Sequence, residues 1–206
     1  MTTHWLHGWR LTALMALLLS LMTLGIIGAH DFSVDGIRVA IRATARTSLL
    51  LFLPVFAASA LVRLQPNDVT RWLHRNRRYL GVSFAASHIL HAMVIIAFAV
   101  TDPALFNSMT SMGTLITGGL AYLFILAMAA TSFDGAVRWL GLRNWRALHW
   151  CGSWYIAISF VITNAKRTPD MPVYWLAVTL TLAVIALRLF DRWQRRRAAR
   201  MASMPA

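Results

Sequence analysis

Three histidines embedded in apolar sequence are the residues of this chain best suited to chemistry. His88 and His91 lie three residues apart in one apolar stretch, and His149 lies near the beginning of a later stretch. Three residues is close to one helical turn, so His88 and His91 are expected on the same face of a helix. Neutral imidazole is a common ligand of metal ions and of haem iron. The three histidines are therefore candidate metal or haem ligands, and the alternative is that each forms a hydrogen bond to a neighbouring helix.

Acidic residues are absent from the apolar stretches. The chain has no glutamate, and its seven aspartates all fall in connections or at the ends of stretches: Asp31, Asp35, Asp68, Asp102, Asp134, Asp170 and Asp191. Proton-coupled transporters place carboxylates within their membrane spans. The pattern therefore favours metal or haem binding over proton transport.

Six stretches are long and apolar enough to cross a bilayer, which requires roughly 20 predominantly apolar residues. The predicted spans are 11–29, 43–64, 80–101, 113–133, 147–165 and 173–190. Pro66 and Pro103 mark the ends of the second and third spans, because proline disfavours a helical residue before it. With 58% hydrophobic residues in 206, the prediction is an all-α polytopic membrane protein. Its six-helix transmembrane bundle would cover residues 1–193, and 194–206 would form a basic cytoplasmic tail.

The basic residues predict an orientation. If the N-terminus is cytoplasmic, all but five of the 20 Lys and Arg residues lie on the inner side, the five being Arg38, Arg42, Arg46, Lys166 and Arg167. The positive-inside rule then places both termini in the cytoplasm, and we expect a multi-pass protein of a cell inner membrane. Lipid headgroups and topology account for the formal charge of +13, which argues against nucleic acid binding.

Three short sequence patterns carry a resemblance to a known family. They are Arg77-Arg78-Tyr79-Leu80-Gly81 leading to His91, Thr131-Ser132-Phe133-Asp134, and Leu140-Gly141 leading to Leu148-His149. In combination, over residues 46–190, they resemble the ferric reductase-like transmembrane domain. This family includes haem-binding membrane subunits and the membrane part of NADPH oxidases.

The resemblance implies a b-type haem held by paired histidines between the third and fifth spans, with electrons crossing from the inner to the outer face. His91 matches the third-span ligand, and His149 matches the Leu-His at the start of the fifth span. Members of the family commonly carry a further histidine later in the fifth span, where this chain has Ile162, Thr163 and Asn164. His88 is a local substitute, so the true axial pair stays open. Ser83, Ser87, Ser153 and Ser159 are candidate partners for the second ring nitrogens.

Arginines on the second span are further candidates. Arg38, Arg42 and Arg46 recur every four residues, which aligns them on one helix face. Because guanidinium forks bind carboxylates well, Arg42 or Arg46 is expected to hold haem propionates or a quinone headgroup. Contact with lipid phosphate is the favoured alternative for Arg38.

The sequence contains no dinucleotide-binding fingerprint and no phosphate-binding loop, so an electron donor would be a separate reductase or a membrane quinol. The predicted function is a membrane b-type cytochrome that relays electrons to an outer-side acceptor, an oxidoreductase subunit without its own flavin or nicotinamide domain. The alternatives are a haem-less structural or assembly subunit of the same family and a quinone-binding module.

Overall fold

The computed structural model describes residues 6–203, which form eight α-helices and no strand. The helices are α1 (Gly8–Gly28), α2 (Val34–Leu64), α3 (Asp68–Thr101), α4 (Pro103–Met109), α5 (Met112–Ala130), α6 (Asp134–Leu140), α7 (Leu142–Ala165) and α8 (Tyr174–Ala202). The all-α prediction is therefore confirmed. The predicted tail is helical as far as Ala202, and its last three residues lie outside the described part of the chain.

Five of the helices in residues 6–203 are long and apolar enough to cross a membrane: α1, α2, α3, α5 and α8. Helix α7 has 24 residues, which is a sufficient length, but it is not one of these five. Its first turns carry Arg143, Asn144 and Arg146. The chain is thus a multi-pass membrane protein, whereas six spans and cytoplasmic termini stay predictions.

The helix ends follow local sequence signals. Helix α2 ends at Leu64 and α3 ends at Thr101, each two residues before a proline, as predicted. Asn67 caps α3 through a reciprocal pair of hydrogen bonds with Thr70, which satisfies two otherwise unpaired groups. Asp102 accepts a hydrogen bond from the backbone N–H of Leu105 and so begins α4. Two short helices that were not predicted, α4 and α6, lie in the connections between the predicted spans.

Helix α2 is the centre of the bundle. It packs most extensively against α3 and also contacts α1 and α8, while α7 packs against α5 and α8. One core cluster joins the four helices α2, α3, α5 and α7 through Phe52, Phe84, Ile125 and Ile156. The two helices that carry the candidate ligands, α3 and α7, thus share a single apolar core.

Helices α3 and α7 meet mainly through ring side chains rather than by close backbone approach. The ring of Phe160 on α7 lies 6.4 Å from Phe84 and 6.0 Å from His88 between centroids. Helix α5 adds Tyr122, whose ring lies 5.3 Å from His88. The space between these three helices is therefore lined by aromatic and imidazole rings.

Candidate functional site

His91 is held in one orientation by a threonine of the neighbouring helix. Its Nδ1 lies 2.9 Å from Oγ1 of Thr44 on α2, and that hydroxyl donates to the backbone carbonyl of Ala40 at 2.7 Å. A hydroxyl has one proton to donate, so with that proton on Ala40 the Nδ1–H of His91 must be the donor to Thr44. The Nε2 of His91 then keeps its lone pair, which is the form in which imidazole binds a metal.

His149 also pairs with a threonine of a neighbouring helix region, but through its Nε2 rather than its Nδ1. Its Nε2 lies 3.1 Å from Oγ1 of Thr131, whose hydroxyl donates to Ala127 at 2.7 Å. The same proton count makes Nε2–H the donor and leaves the lone pair on Nδ1, the nitrogen nearer to its own backbone. The ring also stacks on Trp145, at 4.3 Å between centroids, and the Trp145 indole donates to the Thr131 carbonyl.

His88 is the least satisfied of the three. Its Nδ1 is buried and has no hydrogen-bond partner among residues 6–203, and the same holds for the hydroxyl of Tyr122. Unpaired buried polar atoms are rare and require an explanation, such as an absent ligand or solvent. Two such atoms, in His88 and Tyr122, belong to neighbouring rings of this site.

The structure brings together His88 and His91 but not His149. The first two rings lie 5.6 Å apart between centroids, whereas the ring contact of His149 in the described part of the chain is with Trp145. His91 precedes the end of α3 by ten residues and His149 precedes the end of α7 by sixteen. At about 1.5 Å per residue, the two histidines differ by roughly 9 Å in their distance from the ends of their helices.

The later part of the fifth span, where members of the family commonly carry a further histidine, supplies no ligand in this chain. Ile162 and Thr163 are exposed, and the amide of Asn164 donates to the carbonyl of Phe160 on its own helix. Facing His88 from α7 is the ring of Phe160. A further histidine, His30, is exposed just after α1, with its Nδ1 on the Ile26 carbonyl.

The predicted arginines are placed differently from one another. Arg46 is exposed and lies 5.5 Å above the ring of Tyr174 on α8, which Arg167 also approaches at 5.8 Å. Arg42 is half-buried and forms no hydrogen bond or ion pair within residues 6–203. Arg38 forms an exposed ion pair with Asp35 at 3.3 Å. Arg46, Arg167 and Tyr174 thus form a cluster of donors suited to an anion.

Threonines, and not the predicted serines, pair with His91 and His149. Ser83 and Ser153 donate to carbonyls of their own helices, and Ser87 pairs with Ser48 on α2 at 2.8 Å. The two residues that orient the imidazoles were missed because they are distant in sequence: Thr44 is 47 residues from His91. A threonine inside an otherwise apolar span was the available signal.

The family model described as "Ferric reductase like transmembrane component" matches residues 42–160. This chain belongs to the ferric reductase-like family. The match includes both threonine–histidine pairs, because Thr44, His91, Thr131 and His149 all lie within it.

This ferric reductase-like chain is similar to bacterial proteins named protein-methionine-sulfoxide reductase heme-binding subunit MsrQ. The protein from Ralstonia nicotianae is 29% identical over 147 residues, covering 70% of this chain and 66% of the relative. The protein from Salmonella arizonae is 28% identical over 174 residues, and that from Salmonella paratyphi B is 30% identical over 175; each comparison covers 82% of this chain and 85% of the relative. No solved structure matches the chain.

The α3 side of the site of this ferric reductase-like chain fits a haem group. His91 has a free nitrogen, and the unpaired groups of His88 and Tyr122 lie beside it. The α7 side does not supply a matching imidazole, since Phe160 faces His88 and the Nε2 of His149 is engaged by Thr131. No group of three or more potential metal-ligating residues occurs within 6–203. The residues therefore fit a haem ligated from α3 better than one held by the His91 and His149 pair.

Proposed function

We propose that this chain is the haem-binding membrane subunit of an electron-transfer system, a b-type cytochrome that relays electrons across an inner membrane. The observation that carries the proposal is the Thr44–His91 hydrogen bond, which leaves the Nε2 lone pair of His91 free. The relatives named heme-binding subunits support it. Bound haem would supply reversible one-electron chemistry of iron, and the protein would position it and tune its potential.

In this proposal each residue has a separate task. His91 would be the principal residue that holds the haem iron, and Thr44 would fix its tautomer and ring orientation. His88 and Tyr122 direct polar groups at the same space, and His149 lies nearer the inner face as a second candidate ligand. On the outer side, Arg46 and Arg42 are proposed to bind the haem propionates or a quinone headgroup.

The proposed topology has six spans in residues 1–193, with α7 as the fifth, both termini in the cytoplasm and residues 194–206 as a basic cytoplasmic tail. The electron donor is proposed to be a separate reductase or a membrane quinol. Given the printed names of the relatives, the outer-side acceptor is proposed to be a reductase subunit that acts on protein methionine sulfoxide.

The test is a reduced-minus-oxidised absorption spectrum of the purified full-length chain, expressed with ample haem. We expect sharp b-type bands that are lost in His91→Ala. The matched control is His74→Ala, because His74 lies on the same helix and is exposed. Bands that persist in His91→Ala, or that disappear equally in His74→Ala, would remove the basis for ligation from α3.

A haem-less structural or assembly subunit is the second candidate function. Two of the three histidines have a threonine partner inside the protein, and Phe84 and Phe160 fill the space between α3 and α7. This candidate predicts a flat spectrum and only a loss of stability in His91→Ala. The same spectra therefore decide between the two functions.

A further inference from the structure

A cavity of about 180 Å³ lies between α2, α7 and α8, at the end of the bundle that the proposed topology places on the inner side, and neither His88 nor His91 lines it. It is larger than the roughly 150 Å³ cavity that binds benzene in an engineered protein, so it can admit a ligand. The residues that line it are Ser59, Ala60, Arg63, Trp150, Trp154, Arg188, Asp191, Arg192 and Arg195. Four arginines and one aspartate give this lining a formal excess of three positive charges.

The single carboxylate of the cavity is already engaged. Asp191 is buried and accepts two hydrogen bonds from Arg63, at 2.8 and 2.6 Å, in a bidentate pair. Arg195 lies 3.3 Å from the same carboxylate. These contacts leave no acidic group of the cavity for Arg188 and Arg192.

Arg188 is the most unusual of the four arginines. Its side chain is half-buried, and its guanidinium carbon lies 3.9 Å from the ring centroid of Phe56 and 5.4 Å from that of Trp154. Cation–π contact offsets part of the desolvation cost of a buried cation, but it does not satisfy the N–H donors. Within residues 6–203, no carboxylate lies within ion-pair distance of this guanidinium.

A second donor of the cavity also lacks an acceptor. The indole Nε1–H of Trp154 is buried and has no hydrogen-bond partner in the described part of the chain. Arginine and indole N–H groups are donors only, so the missing ligand must supply acceptors. An oxyanion with several oxygens meets this need, and phosphate matches the planar fork of arginine particularly well.

The surroundings of the cavity favour a lipid as the source of that oxyanion. The cavity lies where α8 passes from apolar sequence to its basic end, and Trp150, one of its lining residues, is exposed there. Anionic lipids concentrate at basic segments on the cytoplasmic side of membranes.

We propose that this cavity binds the phosphate of an anionic phospholipid headgroup, held by Arg188, Arg192 and the indole N–H of Trp154. The bidentate pair of Arg63 with Asp191 forms the fixed wall of the site and ties α2 to α8. The site is separate from the haem proposal and stands whether or not haem is bound.

The test is native mass spectrometry of the full-length chain, released from detergent that contains equal amounts of phosphatidylglycerol and phosphatidylcholine. We expect selective retention of one phosphatidylglycerol and about tenfold weaker retention in Arg188→Gln, because a charge-assisted hydrogen bond is lost. Trp154→Phe keeps an aromatic, though smaller, side chain and removes the N–H donor, so it should weaken retention; the thermal midpoint of the variant checks that the fold is kept. The matched control is Arg200→Gln on the same helix, which removes the same charge outside the cavity.

Three outcomes would overturn the proposal. Equal retention of phosphatidylcholine would show that the headgroup charge is not recognised. An equal loss in Arg200→Gln would assign the effect to general surface charge. Displacement of the lipid by millimolar inorganic phosphate would identify a soluble anion as the ligand. An unchanged haem spectrum in Arg188→Gln would show that the two proposals were tested independently.

Discussion

Replacing Thr44 by valine tests the central step of the proposed haem site. Valine has nearly the shape of threonine, and Thr44 is only 1% exposed, so the substitution removes a hydroxyl without opening a cavity. It also removes the acceptor of the His91 Nδ1–H. Leaving such a buried donor unpaired costs about 1–3 kcal/mol.

The loss expected in haem affinity has the same size. Removing the group that orients a metal-ligating histidine typically weakens metal binding by about 10–100-fold. At about 1.4 kcal/mol for each factor of ten, that range corresponds to roughly 1.4–2.8 kcal/mol. Thr44→Val should therefore purify with reduced haem and should require a correspondingly higher haem concentration in titration.

The matched control is Thr47→Val, one turn further along α2. The Thr47 hydroxyl bonds only to carbonyls of its own helix, those of Ala43 and Thr44. The control therefore removes the same intrahelical hydrogen bond as Thr44→Val but leaves His91 untouched. Wild-type haem affinity in Thr44→Val, or an equal loss in Thr47→Val, would refute the role given to Thr44.

Three further substitutions give independent tests. Tyr122→Phe should raise the thermal midpoint of the haem-free chain, because it removes a buried hydroxyl without a partner at a cost of about 1–3 kcal/mol; a lower midpoint would reveal a partner. Gly152→Ala should destabilise the contact of α5 with α7 by about 1 kcal/mol, because the new Cβ would lie 2.9 Å from Met128 Sδ and 3.2 Å from Phe124 Cδ1. The control is Gly118→Ala, whose Cβ would meet nothing within 4 Å, so it should be neutral or stabilising in the same thermal assay. Asp191→Asn should lower the thermal midpoint by breaking the bidentate pair with Arg63, and a double variant with Arg63→Gln should lose little more; additive losses would contradict the pairing.

Helix positions were predictable from sequence because their signals are local. Pro66 and Pro103 mark the ends of α2 and α3, and long apolar runs mark the spans. The short helix α4 also has local signals in the sequence, since Asp102 caps it and Pro103 occupies its first position. Helix α7 begins at Leu142, earlier than the predicted span of 147–165. Its first turns are helical but polar, so the apolar run does not mark where the helix begins.

The contacts that give the histidines their chemistry were not predictable in the same way. Apolar periodicity does not fix how one helix is rotated against another, and all faces of a membrane helix are apolar. The pairing of Thr131 with His149 depends on the turn between α5 and α7, including the short helix α6. Spacing on α3 did place His88 and His91 together, since that relation lies within one helix.

The hydrogen bond between Thr44 and His91 has a consequence for assembly. Helices α2 and α3 are joined by only three residues, so Thr44 and His91 belong to a single helical hairpin. The imidazole can therefore take its ligand form as soon as this hairpin closes, before α5 and α7 have packed. The other helices then pack against an imidazole whose orientation is already fixed. The two helices of the hairpin cannot slide past each other without breaking the Thr44–His91 hydrogen bond.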